Sequence, residues 1–408
     1  MKTITLTLTD MANGGAALGR DENQRVVFVP LTIPGEKAKV TIVEDKKRFA
    51  RGRLVEIIEA APGRTEARCP HFGPCGGCHF QHIDYPQQLR YKEAIVRDQL
   101  ERIGGFVDPP VSPIWANPEA WAYANSATFS QTADGRLGFW SPELGQVMPI
   151  DTCFLLRSEL LDLYQDLDLD LPGLREVTLR VGQEGELLAV LDIDDLEPPL
   201  LETDFPVSAA LLLPDGAAVN LIGDNNLLQA AGERVFRVSA GCYFLNNSAA
   251  AEFILETVLA YGALSGEESV LELYSGVGTL TASLAGNAAE IVAVERNPDA
   301  VADAIVNLAE FDNVSLYEGQ VEEVLPMLNV MPDMIVVDPP GSGLPPAVLD
   351  EMASLAPAQM LYVSSDIATL ARDGRRLAAK GYRLSQIQPL DAHPQTYHVQ
   401  TVSRWSRR

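Results

Sequence analysis

Four cysteines in this chain are spaced for metal chemistry. The stretch "CPHFGPCGGCHFQH" sets Cys69, Cys75 and Cys78 in a C-x5-C-x2-C pattern, and Cys153 follows far downstream in "PIDTCFLL". Three close thiols and a distant fourth make a four-thiolate set for zinc or for a 4Fe–4S cluster, and spacing alone leaves both open. Gly73, Gly76 and Gly77 let the backbone wrap closely around such a centre. His71, His79 and His82 lie nearby, but four thiolates already complete the set. The fifth cysteine, Cys242, reads as a small buried apolar residue.

A second constellation sits at the ends of apolar runs. In "VLELYSGVGTLTASLA" a strand passes through a turn into a helix, and Gly276 and Gly278 let the backbone approach a ligand at the positive end of the helix dipole. Glu295, in "IVAVERNPDA", follows about twenty positions later, where a carboxylate ending the second strand binds ribose hydroxyls. Gln320 in "EGQVEE" ends a third strand, placed to meet a base edge. Asp338 in "VVDPPGSG" ends a fourth, at the crevice where strand order reverses. No second half with a phosphate-rich loop follows, which favours S-adenosylmethionine over a dinucleotide.

These residues need a scaffold, and the 408 residues are enough for two or three domains. Residues 1–60 carry short alternating runs ("TITLTLTD", "RVVFVPL", "RGRLVEII") broken by Gly and Pro, predicting a small β-barrel of the oligonucleotide-binding kind. Residues 61–248 hold the cysteine segment, an amphipathic helix in "YPQQLRYKEAIVRDQLERIGG", and a mainly antiparallel set of strands. From 249 to 408 strands and helices alternate: helix 249–262, strand "SVLELY", a helix, strand "EIVAVE", helix 298–311, strands "VSLYEG" and "MIVVDPP", a helix, strand "MLYVSS", and helix 367–380. That order predicts a doubly wound α/β domain with a mostly parallel sheet.

Composition narrows the partners. The net charge is −25, which argues against a general nucleic-acid binder, because phosphate contacts need Lys and Arg. Positive charge is concentrated at 37–53, with Lys46, Lys47, Arg48, Arg51 and Arg53, so any RNA contact belongs to the barrel. Residues 159–204 are acidic, with Asp166, Asp168, Asp170, Asp192, Asp194 and Asp195, and read as a solvated face. No apolar run reaches the length of a membrane span, and "MKTITLTLTD" lacks the apolar core of a signal peptide, so a cytoplasmic location is expected.

Together, the barrel, the C-x5-C-x2-C set, "DPP" and "YVSSDIATLARD" resemble the iron–sulfur RNA uracil-C5 methyltransferases, over nearly the whole chain; "QHIDYPQQLRYK" and "GYRLSQIQPLDAHPQTYHVQTV" fit the same pattern. The resemblance implies an N-terminal TRAM barrel, a class I (Rossmann-like) methyltransferase domain, a 4Fe–4S cluster rather than zinc, and S-adenosyl-L-methionine held by Tyr274, Glu295, Gln320 and Asp338. Thr279 stands where the family often has Asn. It also implies structured ribosomal or transfer RNA as substrate, methylated at carbon 5 of a uridine.

That reaction needs a thiolate to add to carbon 6 of the pyrimidine and a carboxylate to remove the carbon 5 proton. Here Ser365 stands in the place of the cysteine, and Gln400 in the place of the glutamate that follows His398-Val399. The family's Phe-Gln-Val-Asn reads Phe244-Leu245-Asn246-Asn247. Gly341 replaces the arginine after Asp-Pro-Pro, Ala124 and Ser126 replace basic residues, and Leu144-Gly145 replaces Ser-His. The expectation is a protein that keeps cofactor and cluster but has lost the uracil reaction. The alternatives are transfer to an acceptor that needs no thiolate, or residual 5-methyluridine formation through Ser365. Asp366 is expected to cap the following helix rather than to activate Ser365.

Overall fold

Alternating burial closes the first sixty residues on themselves. In the computed structural model, which describes residues 2–407 apart from 168, 170, 195–198, 200 and 215, five strands form a closed barrel. They are β1 (Thr3–Met11), β2 (Ala17–Arg20), β3 (Val26–Val29), β4 (Lys37–Asp45) and β5 (Phe49–Glu59), in the order β1-β2-β3-β5-β4, with β4 pairing back to β1. Leu6, Leu8, Val27, Val29, Val40 and Ala50 fill it, one from every second position as a pleated strand requires. Asp168, Asp170 and Asp195 of the acidic segment lie outside the described residues.

The next helix, α1 (Tyr85–Gln99), begins where Asp84 accepts the Gln87 N–H at 2.8 Å. Its last turn widens to i→i+5 geometry over Leu100–Gly104 and stops at Gly105, whose φ of 74° suits glycine. The buried face of α1 carries Gln88, Lys92, Ile95, Val96 and Gln99, and its apolar members enter the same core as Leu370 and Trp405.

A seven-stranded sheet follows, in the order β12-β11-β10-β9-β6-β7-β8. It is built from β6 (Ser126–Gln131), β7 (Leu137–Ser141), β8 (Gln146–Pro149), β9 (Leu174–Val181), β10 (Leu187–Ile193), β11 (Ser208–Leu212) and β12 (Ala218–Ile222), with α2 (Ser158–Asp166) between β8 and β9. Only β10 and β11 pair in parallel. A hairpin, β13 (Asn226–Ala231) and β14 (Arg234–Ser239), leads to the last domain.

That domain runs α3 (Ser248–Gly262), β15 (Ser269–Leu273), α4 (Thr279–Ala285), β16 (Glu290–Glu295), α5 (Pro298–Asn307), β17 (Val314–Glu318), α6 (Val321–Val324), β18 (Met334–Val337), α7 (Pro346–Ser354), β19 (Gln359–Ser364), α8 (Ile367–Ala379), β20 (Tyr382–Leu390) and β21 (Gln400–Arg407). The sheet order is β17-β16-β15-β18-β19-β21-β20, parallel except for β21. The sequence reading extended the helix after β16 to residue 311. It ends at Asn307, whose side-chain amide donates to the Arg237 and Val277 carbonyls at 3.0 and 2.9 Å. The short α6 and the β20–β21 hairpin were not assigned from sequence.

Among the described residues no helix is long and apolar enough to cross a membrane. Trp405, on β21, is fully buried against α8, and a Cβ added to Gly374 would lie 2.4 and 2.8 Å from its ring. Gly374→Ala gains helix propensity of about 0.5–1 kcal/mol. Overpacking a rigid buried ring costs about 1–3 kcal/mol, so the clash wins. Urea denaturation is expected to show Gly374→Ala less stable than the natural chain by about 1–2 kcal/mol.

Candidate functional site

The candidate cofactor crevice lies at the C-terminal ends of β15, β16 and β18. Immediately after β15 the chain turns sharply: Tyr274 has φ 63°, and the N–H groups of Tyr274 and Ser275 both donate to the Val294 carbonyl of β16, at 2.9 and 3.1 Å. Gly276 (φ 56°) and Gly278 (φ 84°) continue the turn into α4 at Thr279. The two glycines serve different ends. A Cβ on Gly278 would lie 2.9 Å from Leu308, so packing excludes it, whereas one on Gly276 would meet nothing within 4 Å and points into open space.

Glu295 closes the loop. Its Oε2 accepts the Gly276 N–H at 2.9 Å, and its Oε1 accepts the Arg296 and Asn297 N–H groups, each at 2.8 Å. Ser275 Oγ is buried with no hydrogen-bond partner, an orphan polar atom in the loop that would cradle a ligand. Asp338, at the end of β18, has a carboxylate pushed up to about 7 by burial, and no described side chain donates to it. Gln320 is exposed just before α6, beyond the end of β17. An orphan hydroxyl, an open glycine face and an unpaired part-buried carboxylate fit a polar ligand carrying positive charge.

Beneath this loop lies a group that sequence reading missed. Glu272 of β15 is buried, accepts the Thr281 hydroxyl at 2.7 Å, and is pushed up to about 8 by burial, with the charges of Asp338 and Glu295 adding to the shift. The signal was present: a lone acid inside the apolar run "SVLEL".

The second region gathers the catalytic candidates. Ser365 is exposed at the end of β19, facing the Asp-Pro-Pro-Gly turn: a Cβ on Gly341 would lie 3.5 Å from its Oγ. The neighbouring Ser364 is tied down, donating to the Asp366 carbonyl at 3.0 Å and accepting its N–H at 3.2 Å. Asp366 caps α8, accepting the Thr369 N–H at 2.7 Å, as expected from sequence. Ser364 pairs with Thr401 at the end of the β19–β21 ladder, so Ser365 and Gln400 each lie one residue beyond its last pair. Gln400 is buried and amide-tipped. His398 is held below the usual histidine range by burial and by Lys92, so it is neutral near pH 7. No described base forms a hydrogen bond with Ser365 Oγ.

The third region is the thiol pocket. Cys69, Cys75, Cys78 and Cys153 line a single cavity of about 380 Å³ with His71, His393 and His398. Burial pushes Cys78 up to about 12 and raises Cys75 and Cys153, the neighbouring thiols adding to each shift. Gln81 Oε1 accepts the Cys69 N–H at 3.0 Å, and the Gly77 N–H points at Cys75 Sγ at 3.4 Å. Among the described residues no three His, Cys, Asp or Glu side chains converge tightly enough to hold a single metal ion. Cys242 lies elsewhere, buried in the C-terminal core with its thiol directed at Asp303 Oδ2 at 3.5 Å.

Sequence reading also missed the buried pair behind these regions. Lys92 Nζ meets Asp391 Oδ1 at 2.5 Å and donates to the His393 carbonyl at 3.0 Å, with both side chains fully buried. The periodicity of α1 carried the clue, since Lys92 falls on the stripe formed by Gln88, Ile95, Val96 and Gln99.

On the barrel, Lys46 and Arg51 both pair with Glu44, while Lys47, Arg48 and Arg53 have no ion-pair partner among the described residues. Phe28 and Phe49 stack edge-to-face beside Arg51.

Comparison with known proteins agrees with this architecture. Residues 1–55 match the model of the TRAM domain, and residues 264–393 match that of a methyltransferase domain. The chain is 32% identical to an uncharacterised RNA methyltransferase of Chlorobaculum tepidum, across 99% of this chain and 96% of the relative. It is also 32% identical to one from Gloeobacter violaceus, across 100% and 97%. The protein belongs to this family of RNA methyltransferases. Its fold is similar to the crystal structure of the Pyrococcus abyssi tRNA (uracil-54, C5)-methyltransferase in complex with S-adenosyl-L-homocysteine, with a TM-score of 0.75 at 22% identity, covering 98% and 100% of the two chains. The barrel, the central antiparallel sheet and the S-adenosylmethionine-dependent methyltransferase fold predicted from sequence are all present.

Glu272 supplies a test in pH. Its folded-state pKa is raised from an ordinary 4.5, so the stability tied to its protonated form is full below pH 4.5, is lost as pH rises toward about 8, and is gone above that. Glu272→Gln keeps an acceptor for Thr281 and removes the titration. Thermal or urea denaturation between pH 5 and 8 is expected to show a shallower fall in stability for Glu272→Gln, by at most about 1.4 kcal/mol per pH unit.

Proposed function

We propose that this protein binds S-adenosylmethionine and a 4Fe–4S cluster on an RNA uracil-C5 methyltransferase scaffold, and that it does not carry out the uracil-C5 reaction. The observation that carries this reading is the chemistry of Ser365 and Gln400, a hydroxyl and an amide each one residue beyond the last pair of the β19–β21 ladder. The family resemblance implies a thiolate and a carboxylate at these two positions, and among the described residues no base forms a hydrogen bond with Ser365. A neutral hydroxyl is a far weaker nucleophile than a thiolate at pH 7, and an amide cannot accept the carbon 5 proton.

Support for the cofactor comes from the crevice. Glu295 is held by three backbone N–H groups at the ribose position, with Gly276 open beside it. Tyr274, Gly278 and Thr279 shape the turn, and by family resemblance Gln320 and Asp338 would complete the cofactor set. Support for the cluster comes from the family resemblance and from the four thiols that line one cavity. Cys69, Cys75, Cys78 and Cys153 would hold it. When bound, it supplies a cross-link between distant segments and a redox-active centre. RNA is the expected partner, through Lys47, Arg48, Arg53 and the Phe28–Phe49 pair of the barrel.

The test uses the full-length protein, labelled S-adenosylmethionine, and bulk ribosomal and transfer RNA digested to nucleosides. The expected result is cofactor binding without 5-methyluridine. Label in another nucleoside would move the reading to an acceptor that needs no thiolate adduct. Robust 5-methyluridine would overturn the loss of activity.

A further inference from the structure

The loop between β20 and β21 carries His398 and leads into Gln400, the first residue of β21, and it is held by two other parts of the chain. The Gln395 carbonyl accepts the N–H groups of both His79 and Phe80, each at 2.9 Å. Gln88 of α1 binds the same residue twice: its Nε2 donates to Gln395 Oε1 at 3.0 Å, and its Oε1 accepts the Gln395 N–H at 3.1 Å. Gln88 Nε2 also approaches the Phe80 and Ile83 carbonyls at 3.1 and 2.9 Å. Both glutamines are buried, at 1% and 3% exposure. Two amides therefore knit the loop that bears Cys69, Cys75 and Cys78 to the loop that precedes Gln400.

The barrel touches this junction. A Cβ on Gly15 would lie 3.1 Å from Tyr397 Cβ and 3.3 Å from His79 Cβ. The Tyr397 ring lies 4.6 Å from that of His79 and 4.2 Å from that of His398.

Such an arrangement is intolerant of slippage. Moving either loop against the other breaks several bonds at once and leaves buried donors and acceptors unpaired, which is the costly half of hydrogen-bond energetics. The two loops therefore keep or lose their order together.

We propose that Gln88 and Gln395 are positioning residues that couple the cysteine loop to the β20–β21 loop, so that the state of the thiol pocket sets where His398 and Gln400 stand at the start of β21. The effect of a filled pocket rests on the cluster reading above; the coupling itself does not. By linkage the influence runs both ways, so loosening the amide pair loosens the thiol loop.

The experiment uses the full-length, metal-free protein, measuring alkylation of each cysteine by mass spectrometry and amide hydrogen exchange along the chain. Gln88→Leu is expected to speed alkylation of Cys69, Cys75 and Cys78 and exchange at residues 393–398 together, each about ten-fold or more. Cys242, buried in a separate core, should stay unreactive, and S-adenosylhomocysteine affinity should not change. Should Gln88→Leu expose Cys242 too, the same pattern is required of Gln395→Ala, which keeps the carbonyl bonds. Loosening of one loop without the other overturns the coupling. Wild-type protein reconstituted with iron and sulfide should show slower exchange at 393–398, a response missing in Gln88→Leu. Failure to take up iron and sulfide while the loops still loosen together refutes the cluster reading alone.

Discussion

The buried pair of Lys92 and Asp391 is the constraint on which the rest of the molecule leans. Neither side chain reaches water, and Lys92 spends a second hydrogen bond on the His393 carbonyl. Removing one partner of such a pair strands the other charge and costs about 3–5 kcal/mol. The pair is also long-range, tying the helix after the cysteine loop to the chain just before the last strand. It fixes how the segment at 69–99 sits on the methyltransferase domain.

Around this anchor two halves of an enzyme have met different fates. The cofactor half keeps every device that local physics demands: a positive-φ turn after β15, a glycine where Leu308 leaves no room for a Cβ, and a carboxylate held by backbone donors. On our proposal, the catalytic half keeps its position but not its reactivity. Ser365 stands exposed just past the end of β19, and Gln400, the first residue of β21, carries a buried amide. Scaffold and chemistry separate cleanly because the fold depends on backbone ladders and apolar packing, whereas the reaction depends on two side-chain functional groups.

The pattern of legibility in the sequence has the same origin. Strand and helix periodicity made β15, β16, β19 and α8 readable almost to the residue, and the capping role of Asp366 was plain from its place before an amphipathic run. The β20–β21 hairpin was not assigned, because "DAHPQTYHV" carries no turn dipeptide and its loop is stabilised from outside, by Gln88, Lys92 and the cysteine loop. Long-range polar contacts of that kind leave little local trace. Glu272 and Lys92 belong to the same class: each is a charge on an apolar face, and its partner lies elsewhere in the chain. The Glu44 carboxylate shared by Lys46 and Arg51 was likewise invisible, since Arg51 reaches it only across the β4–β5 pair.

The central claim concerns reactivity at one position, and covalent trapping addresses it most directly. Incubating the purified chain with S-adenosylmethionine and RNA carrying 5-fluorouridine, then resolving the products under denaturing conditions, reports whether residue 365 can add to the pyrimidine ring. The account predicts free RNA and free protein only. A stable protein–RNA adduct mapped to the peptide containing Ser365 would contradict it.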